Sequence, residues 1–246
     1  MRPVRLLDED PDLFEAVPAG HRARAADTCL APVVVVDGGT WNPGRADAGR
    51  GAIGLLILNG LVLRRLGVGG RFGAELLGAG DLLRPADSTD SSFSTTTAWR
   101  VIDQIQMAVL TAGVAERVAR FPSLTGTLVA KALSRSRRLV VMMAIVHQPR
   151  VEVRVHMLLW HLADRWGRVR GEGVLVPLRL SHSVLADLTA AQRPSVTGAL
   201  QRLYEKGVVR QLEEGWLLCG DPPGEVLEVL AAAEQPLAGP AGERLA

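Results

Sequence analysis

Two hydrophobic rhythms follow one another along this chain. Between Val33 and Leu110 the apolar residues come in short β-branched or leucine-rich runs, separated by turns that carry glycine. Val33 to Val36 is such a run, closed by Asp37-Gly38-Gly39. Gly54 to Leu58 and Leu61 to Leu66 flank Asn59-Gly60, a pair that tolerates positive φ, and they read as two strands of a hairpin. Arg71 to Leu77, Trp99 to Ile102 and Met107 to Leu110 predict further strands. Gly67 to Gly70 predicts a turn and Pro85 to Thr97 a polar loop. The pattern predicts a small β-roll or barrel over residues 1–110.

From residue 111 the spacing changes to three and four. Ala112 to Arg120 predicts a short helix, and Ser123 is a candidate N-cap for a long one ended by Pro149. Along the long helix Val129, Leu133, Ser136, Val140, Met143 and His147 form one stripe. Leu128, Ala132, Arg135, Leu139, Met142 and Val146 form a second beside it. One stripe suits the β-domain and the other a partner helix, which predicts a dimer over residues 111–148. A single wide helix facing the core of a monomer would show the same pattern.

Residues 149–220 predict a compact α+β unit. Val151 to Trp166 is helical, Gly167 to Gly173 a turn and Val174 to Leu180 a strand. Ser181 caps a short helix ending at Leu188; Thr189-Ala190-Ala191-Gln192 connects it to a second helix, Arg193 to Lys206. Pro194 fits the first turn of that helix and Gly207 its stop. Two short helices joined by a tight turn make a helix-turn-helix. Val196, Leu200 and Leu203 lie on its core side; Pro194, Thr197, Gly198 and Gln201 lie opposite, with Arg193 leading. In a helix-turn-helix that outward face enters the major groove, where Arg193 suits a guanine edge or a phosphate and Thr197 and Gln201 can donate and accept. Ser181, His182, Ser195 and Arg202 complete the candidate DNA-binding set. Val208 to Gln211 and Trp216 to Leu218, around Glu213-Glu214-Gly215, predict a hairpin wing.

Composition narrows the class. Apolar residues make up 48 % of 246 positions and the net charge is +2, with the positive charge concentrated between residues 111 and 220 and an acidic tail from Asp221. No apolar run reaches the roughly 20 residues of a membrane span, and Met1 to Asp12 is charged and without a signal core, so a cytoplasmic protein is expected. Cys29 and Cys219 form no CxxC pair, so no cysteine-held metal is expected. No Walker loop, HExxH, GxGxxG after a strand or Ser/His/Asp cluster is present, and the chain is not read as an enzyme.

Leu185-Ala186-Asp187-Leu188, Gln192-Arg193-Pro194-Ser195-Val196-Thr197, Ala199 to Leu203 and Lys206-Gly207-Val208-Val209 resemble the Crp/Fnr family of transcription regulators. Leu77 to Leu83, with its Gly80-Asp81, resembles that family's cyclic-nucleotide-binding β-roll, and Ala98-Trp99-Arg100-Val101 resembles the strand closing its pocket. The resemblance covers nearly all of the chain to about residue 220. It implies an α+β protein with an N-terminal β-roll, a long dimerisation helix and a C-terminal winged helix-turn-helix. It also implies a homodimer on a near-palindromic operator, placed relative to RNA polymerase. Binders of cyclic nucleotide in that family carry Gly-Glu where this chain has Arg84-Pro85, and Arg, Ser/Thr and Ala where it has Thr96-Thr97-Ala98. The ribose acceptor and the phosphate cation are both missing, so cyclic nucleotide is not expected as cofactor. Arg84, Thr96, Thr97 and Trp99 remain the candidate lining of any other effector pocket. An unknown small molecule in the roll, or a protein-interaction module without DNA binding, are the alternatives. Residues 221–246 are read as a partly disordered tail, with a short helix from Glu225 to Glu234.

Overall fold

The computed structural model describes residues 3–46, 48–84 and 94–224. The expected helix at 225–234 lies outside them. The chain divides into two compact units, residues 1–146 with 186–190, and residues 147–185 with 191–246.

The first unit opens with β1 (Val4–Arg5), α1 (Leu6–Glu9), α2 (Pro11–Ala16), α3 (Arg22–Thr28) and β2 (Leu30–Ala31), none of which the pattern of apolar residues predicts. α2 nevertheless has a local cause. The Asp10 carboxylate accepts the Leu13 N–H at 3.1 Å, and Pro11 fills the first helical position. β1 and β2 pair antiparallel, and the helices bury Leu6, Leu7, Leu13 and Ala25.

The sheet follows: β3 (Val33–Val36), β4 (Gly39–Trp41), β5 (Gly54–Val68), β6 (Arg71–Gly78), β7 (Leu82–Leu83) and β8 (Thr95–Leu110). Its order is β3-β8-β5-β6, with β4 also on β8 and β7 on β5, and every pair is antiparallel. Three expectations are corrected here. Gly54–Leu58 and Leu61–Leu66 are one strand of 15 residues, and Asn59-Gly60 is a bulge inside it, not a hairpin turn. Gly60 has φ +88°, and a Cβ there would lie 2.0 Å from the Gln104 carbonyl oxygen, so the site takes glycine alone. The two strands expected between Trp99 and Leu110 are likewise one. That strand begins at Thr95, so Thr95 to Thr97, expected in a loop, pair with Val68, Gly67 and Leu66. The hairpin turn sits at Gly69-Gly70, as expected.

Strand alternation splits the core in two. Leu55, Ile57, Val62, Trp99 and Met107 pack with Trp41 on one face. Leu56, Leu58, Ala108 and Leu110 pack on the other with Leu6, Leu13, Val114 and Leu124. α4 (Ala112–Val118) is capped by the Thr111 hydroxyl, and α5 (Pro122–Val146) runs for 25 residues, starting at Pro122 rather than after a Ser123 cap.

The second unit begins with α6 (Val151–Trp166), which buries Val155, Leu158, Leu159 and Leu162. The expected turn at 167–173 contains β9 (Arg168–Arg170), and the expected strand to Leu180 is β10 (Gly173–Val176), stopped before Pro177. α7 (His182–Leu188), α8 (Arg193–Glu205), β11 (Val209–Leu212) and β12 (Gly215–Leu218) follow. The sheet order is β11-β12-β10-β9, antiparallel throughout.

Candidate nucleic-acid interface

The helix-turn-helix is set by local chemistry. The Ser181 hydroxyl accepts the Val184 N–H at 3.4 Å and so starts α7. Ala190, in the connection, takes φ +49°, and Gly207, with φ +69°, stops α8. α8 sorts its side chains as the sequence predicts. Val196, Ala199, Leu200 and Leu203 are buried; Arg193, Pro194, Ser195, Thr197 and Gln201 are exposed, and Gly198 is half-buried.

The exposed side chains differ in what they touch. Thr197 Oγ1 donates to the Arg193 carbonyl at 3.1 Å and lies 2.9 Å from His182 Nδ1. Gln201 donates to Glu205 at 3.0 Å. His182, Thr197, Gln201 and Tyr204 of the two helices, with Gln211 and Trp216 of the wing, line a groove of about 260 Å³. The Arg193 guanidinium has no hydrogen-bond or ion-pair partner among the described residues.

Arg202, grouped with the DNA-facing residues, is exposed and reaches back to α6. Its Nε donates to Glu152 at 2.8 Å, and the Lys206 ammonium takes the other oxygen of the same carboxylate. Those two hydrogen bonds, Lys206 first and Arg202 second, hold Glu152 below the usual glutamate pKa. Glu152 stands in the first turn of α6, fifty residues before Arg202. Sequence reading passes over it, because a single acidic residue at a helix start reads as dipole compensation. An open cleft of about 570 Å³ runs along this contact, between Arg150, Val151 and Glu152 on one side and Pro194, Ser195, Gly198 and Arg202 on the other. The acidic wing tip is also engaged: Glu214 accepts from Arg170 at 2.6 and 3.2 Å, and the Arg170 guanidinium lowers the Glu214 pKa.

In the first unit, Arg84, Thr96 and Thr97 are exposed, while Trp99 is buried edge-on to Trp41 at 5.5 Å. Arg84 follows Leu83, which pairs with Leu55; Thr97 pairs with Leu66. The segment 85–93 between them, which includes Pro85, lies outside the described residues. What the structure does bring together is a row of ion pairs that tie α5 to the start of α2 and to the sheet. Lys131 meets Asp10 at 3.0 Å and Asp12 at 2.5 Å. Arg135 meets Glu75 at 2.6 Å and donates to the Leu82 carbonyl at 3.2 Å. Arg138 meets Asp81, and Arg64 reaches Glu75 at 2.5 Å. Asp10, Glu75 and Asp81 are all buried. A sequence signal is present: Lys131, Arg135 and Arg138 stand four and three apart, on one side of α5.

On another side of α5 the expected stripe is open. Val129, Leu133, Val140 and Met143 are each more than half exposed and Ser136 is exposed as well, while His147, expected on the stripe, lies just past the end of α5. No helix among the described residues is long and apolar enough to cross a membrane.

Residues 153–223 match the Crp-like helix-turn-helix domain family. No curated protein matches the chain in sequence. Among solved structures it is similar to a mutant of CooA from Carboxydothermus hydrogenoformans, with 15 % identity, TM-score 0.60 and coverage of 81 % of this chain and 87 % of that one. It is also similar to FixK2 from Bradyrhizobium japonicum, with 16 % identity, TM-score 0.58 and coverage of 81 % and 96 %. A cyclic nucleotide-binding domain containing protein from Listeria monocytogenes EGD-e gives 12 % identity, TM-score 0.62 and coverage of 83 % and 94 %.

Proposed function

We propose that this chain, which carries a Crp-like helix-turn-helix domain on a Crp/Fnr-type fold, regulates transcription in the bacterial cytoplasm as a homodimer on a near-palindromic duplex site, without cyclic nucleotide. The observation that carries the reading is α8. One face locks into the core through Val196, Leu200 and Leu203. The other presents an uncommitted Arg193, a fixed Thr197 and Gln201 to a groove-sized surface. The open stripe of α5 supports pairing with a second copy, since adjacent exposed Val and Leu side chains on one helix mark an interface. Independence from cyclic nucleotide is supported by the missing ribose and phosphate partners. It is also supported by Arg64 and Arg135, whose charges Glu75 already takes.

The test is selection from a random duplex pool at two salt concentrations. Enrichment of a two-fold-symmetric site by the wild type, lost in Arg193→Ala, is the expected result. Enrichment only with cyclic AMP or cyclic GMP present would overturn the effector part of the reading. Failure in every condition, with no salt-dependent duplex affinity, would overturn DNA binding itself.

A further inference from the structure

We propose that Glu152 is a specificity-determining residue: by holding Arg202 and Lys206 it withholds from DNA phosphates two of the three cations of α8 and its C-cap. The inference rests on the duplex-binding reading of that helix. α8 and its C-cap carry Arg193, Arg202 and Lys206, and of these Arg193 alone is without an ionic partner among the described residues. Arg202 does not point away from the DNA-facing side. Side chains on a helix lean toward its N-terminus, and the Arg202 guanidinium lies back across Gly198, where a Cβ would be 3.5 Å from Nη1. It therefore reaches Glu152 along the same open cleft that Pro194 and Ser195 line. A phosphate of a duplex seated on α8 would compete with the Glu152 carboxylate for the same guanidinium. Lysine and arginine contacts to phosphate are sequence-independent and add to affinity for any DNA. With both cations held by one carboxylate, the three groups together carry one positive charge in place of two, so less unspecific charge is offered to phosphates and binding leans on Arg193, Thr197 and Gln201.

The experiment compares wild type with Glu152→Gln, which keeps the shape and removes the charge. Each is titrated on its selected operator and on a random duplex over a series of salt concentrations. Glu152→Gln is expected to bind the random duplex roughly 10-fold more tightly at low salt. The slope of log K against log salt should steepen by about one to two units, near 0.9 for each phosphate gained. The operator gains less, so the ratio of operator to random affinity falls. A second variant, Arg202→Gln with Lys206→Gln, is expected to leave the random-duplex slope at the wild-type value, and it serves should Glu152→Gln fail to fold. An unchanged or shallower slope in Glu152→Gln overturns the inference, as does a shallower slope in the double variant. If the wild type itself shows no salt-dependent affinity, the DNA-binding reading fails and this inference with it. If the wild type binds and the slopes disobey, this inference fails alone.

Discussion

His182 Nδ1 lies 2.9 Å from Thr197 Oγ1, a contact that ties the leading residue of one helix to the outward face of the next. The Thr197 hydroxyl also reaches the Arg193 carbonyl, and with its proton there the Nδ1–H tautomer of His182 completes the contact. The pair fixes the rotamer of a side chain that faces the groove. His182→Ala is expected to weaken operator binding by about 1 kcal/mol, the worth of one such hydrogen bond. Discrimination at the base pair facing Thr197 should relax while random-duplex affinity holds. Dissociation constants on single-base operator variants check this; equal losses on all of them would refute it.

Glu75 is buried and receives both Arg64 and Arg135. Removing its charge takes the carboxylate that Arg64 and Arg135 share out of a buried site, which is more costly than the pairs were worth. Glu75→Gln is expected to destabilise the first unit by about 3 kcal/mol, read from the shift in denaturant midpoint. A shift below about 0.5 kcal/mol would place the network in the class of solvated surface pairs.

Leu133 and Val140 stand among the open apolar residues of α5, each more than 60 % exposed. Their replacement by glutamate removes no core contact, so Leu133→Glu with Val140→Glu should keep the helical signal of the wild type. The expected outcome is a halved mass by light scattering and an operator affinity lowered at least 100-fold, because one half-site remains engaged. A wild type that is already monomeric at micromolar concentration would refute the dimer.

Gly60 permits the bulge that lets β5 pass β8 without breaking. Gly60→Ala combines an unfavourable φ with a Cβ against the Gln104 carbonyl. A loss of at least about 3 kcal/mol is expected in thermal or urea unfolding.

These particulars show what could be read in the chain and what could not. The helix-turn-helix was legible because its signals are local: a serine cap, Pro194 in a first turn, Gly207 at a stop, and a four-residue buried repeat on one helix. Asn59-Gly60 misled for the opposite reason. The pair is equally suited to a hairpin turn and to a bulge, and the choice is made by β8, some forty residues on, which supplies ladder partners to both sides. The sequence places Arg202 in the DNA-facing set; that Glu152, fifty residues earlier, also holds it depends on the packing of α6 against α8 and has no local signal. The ion pairs of α5 show a middle case. The spacing of Lys131, Arg135 and Arg138 is visible in the sequence, but their acidic partners come from the start of an N-terminal helix, the middle of β6 and the turn before β7.

Glu152 also makes the second unit sensitive to acid, in a direction that can be worked out. Hydrogen bonds from Lys206 and Arg202 lower its pKa in the folded protein. In the window between the lowered folded value and the ordinary unfolded one, the unfolded chain therefore binds more protons, and stability rises with pH. The contribution is complete above the ordinary glutamate range and is lost as pH falls through the lowered value. Wild type should exceed Glu152→Gln by about 0.5–1 kcal/mol at neutral pH, since both cations are largely solvated. That gap should close on acidification below the ordinary glutamate range. Glu214 is shifted the same way by Arg170, but it is present in both proteins and cancels in the difference. Urea unfolding of the two proteins at a series of pH values from neutral to strongly acidic makes the comparison. A gap that stays constant across the series would mean that Glu152 holds α8 by shape and not by charge.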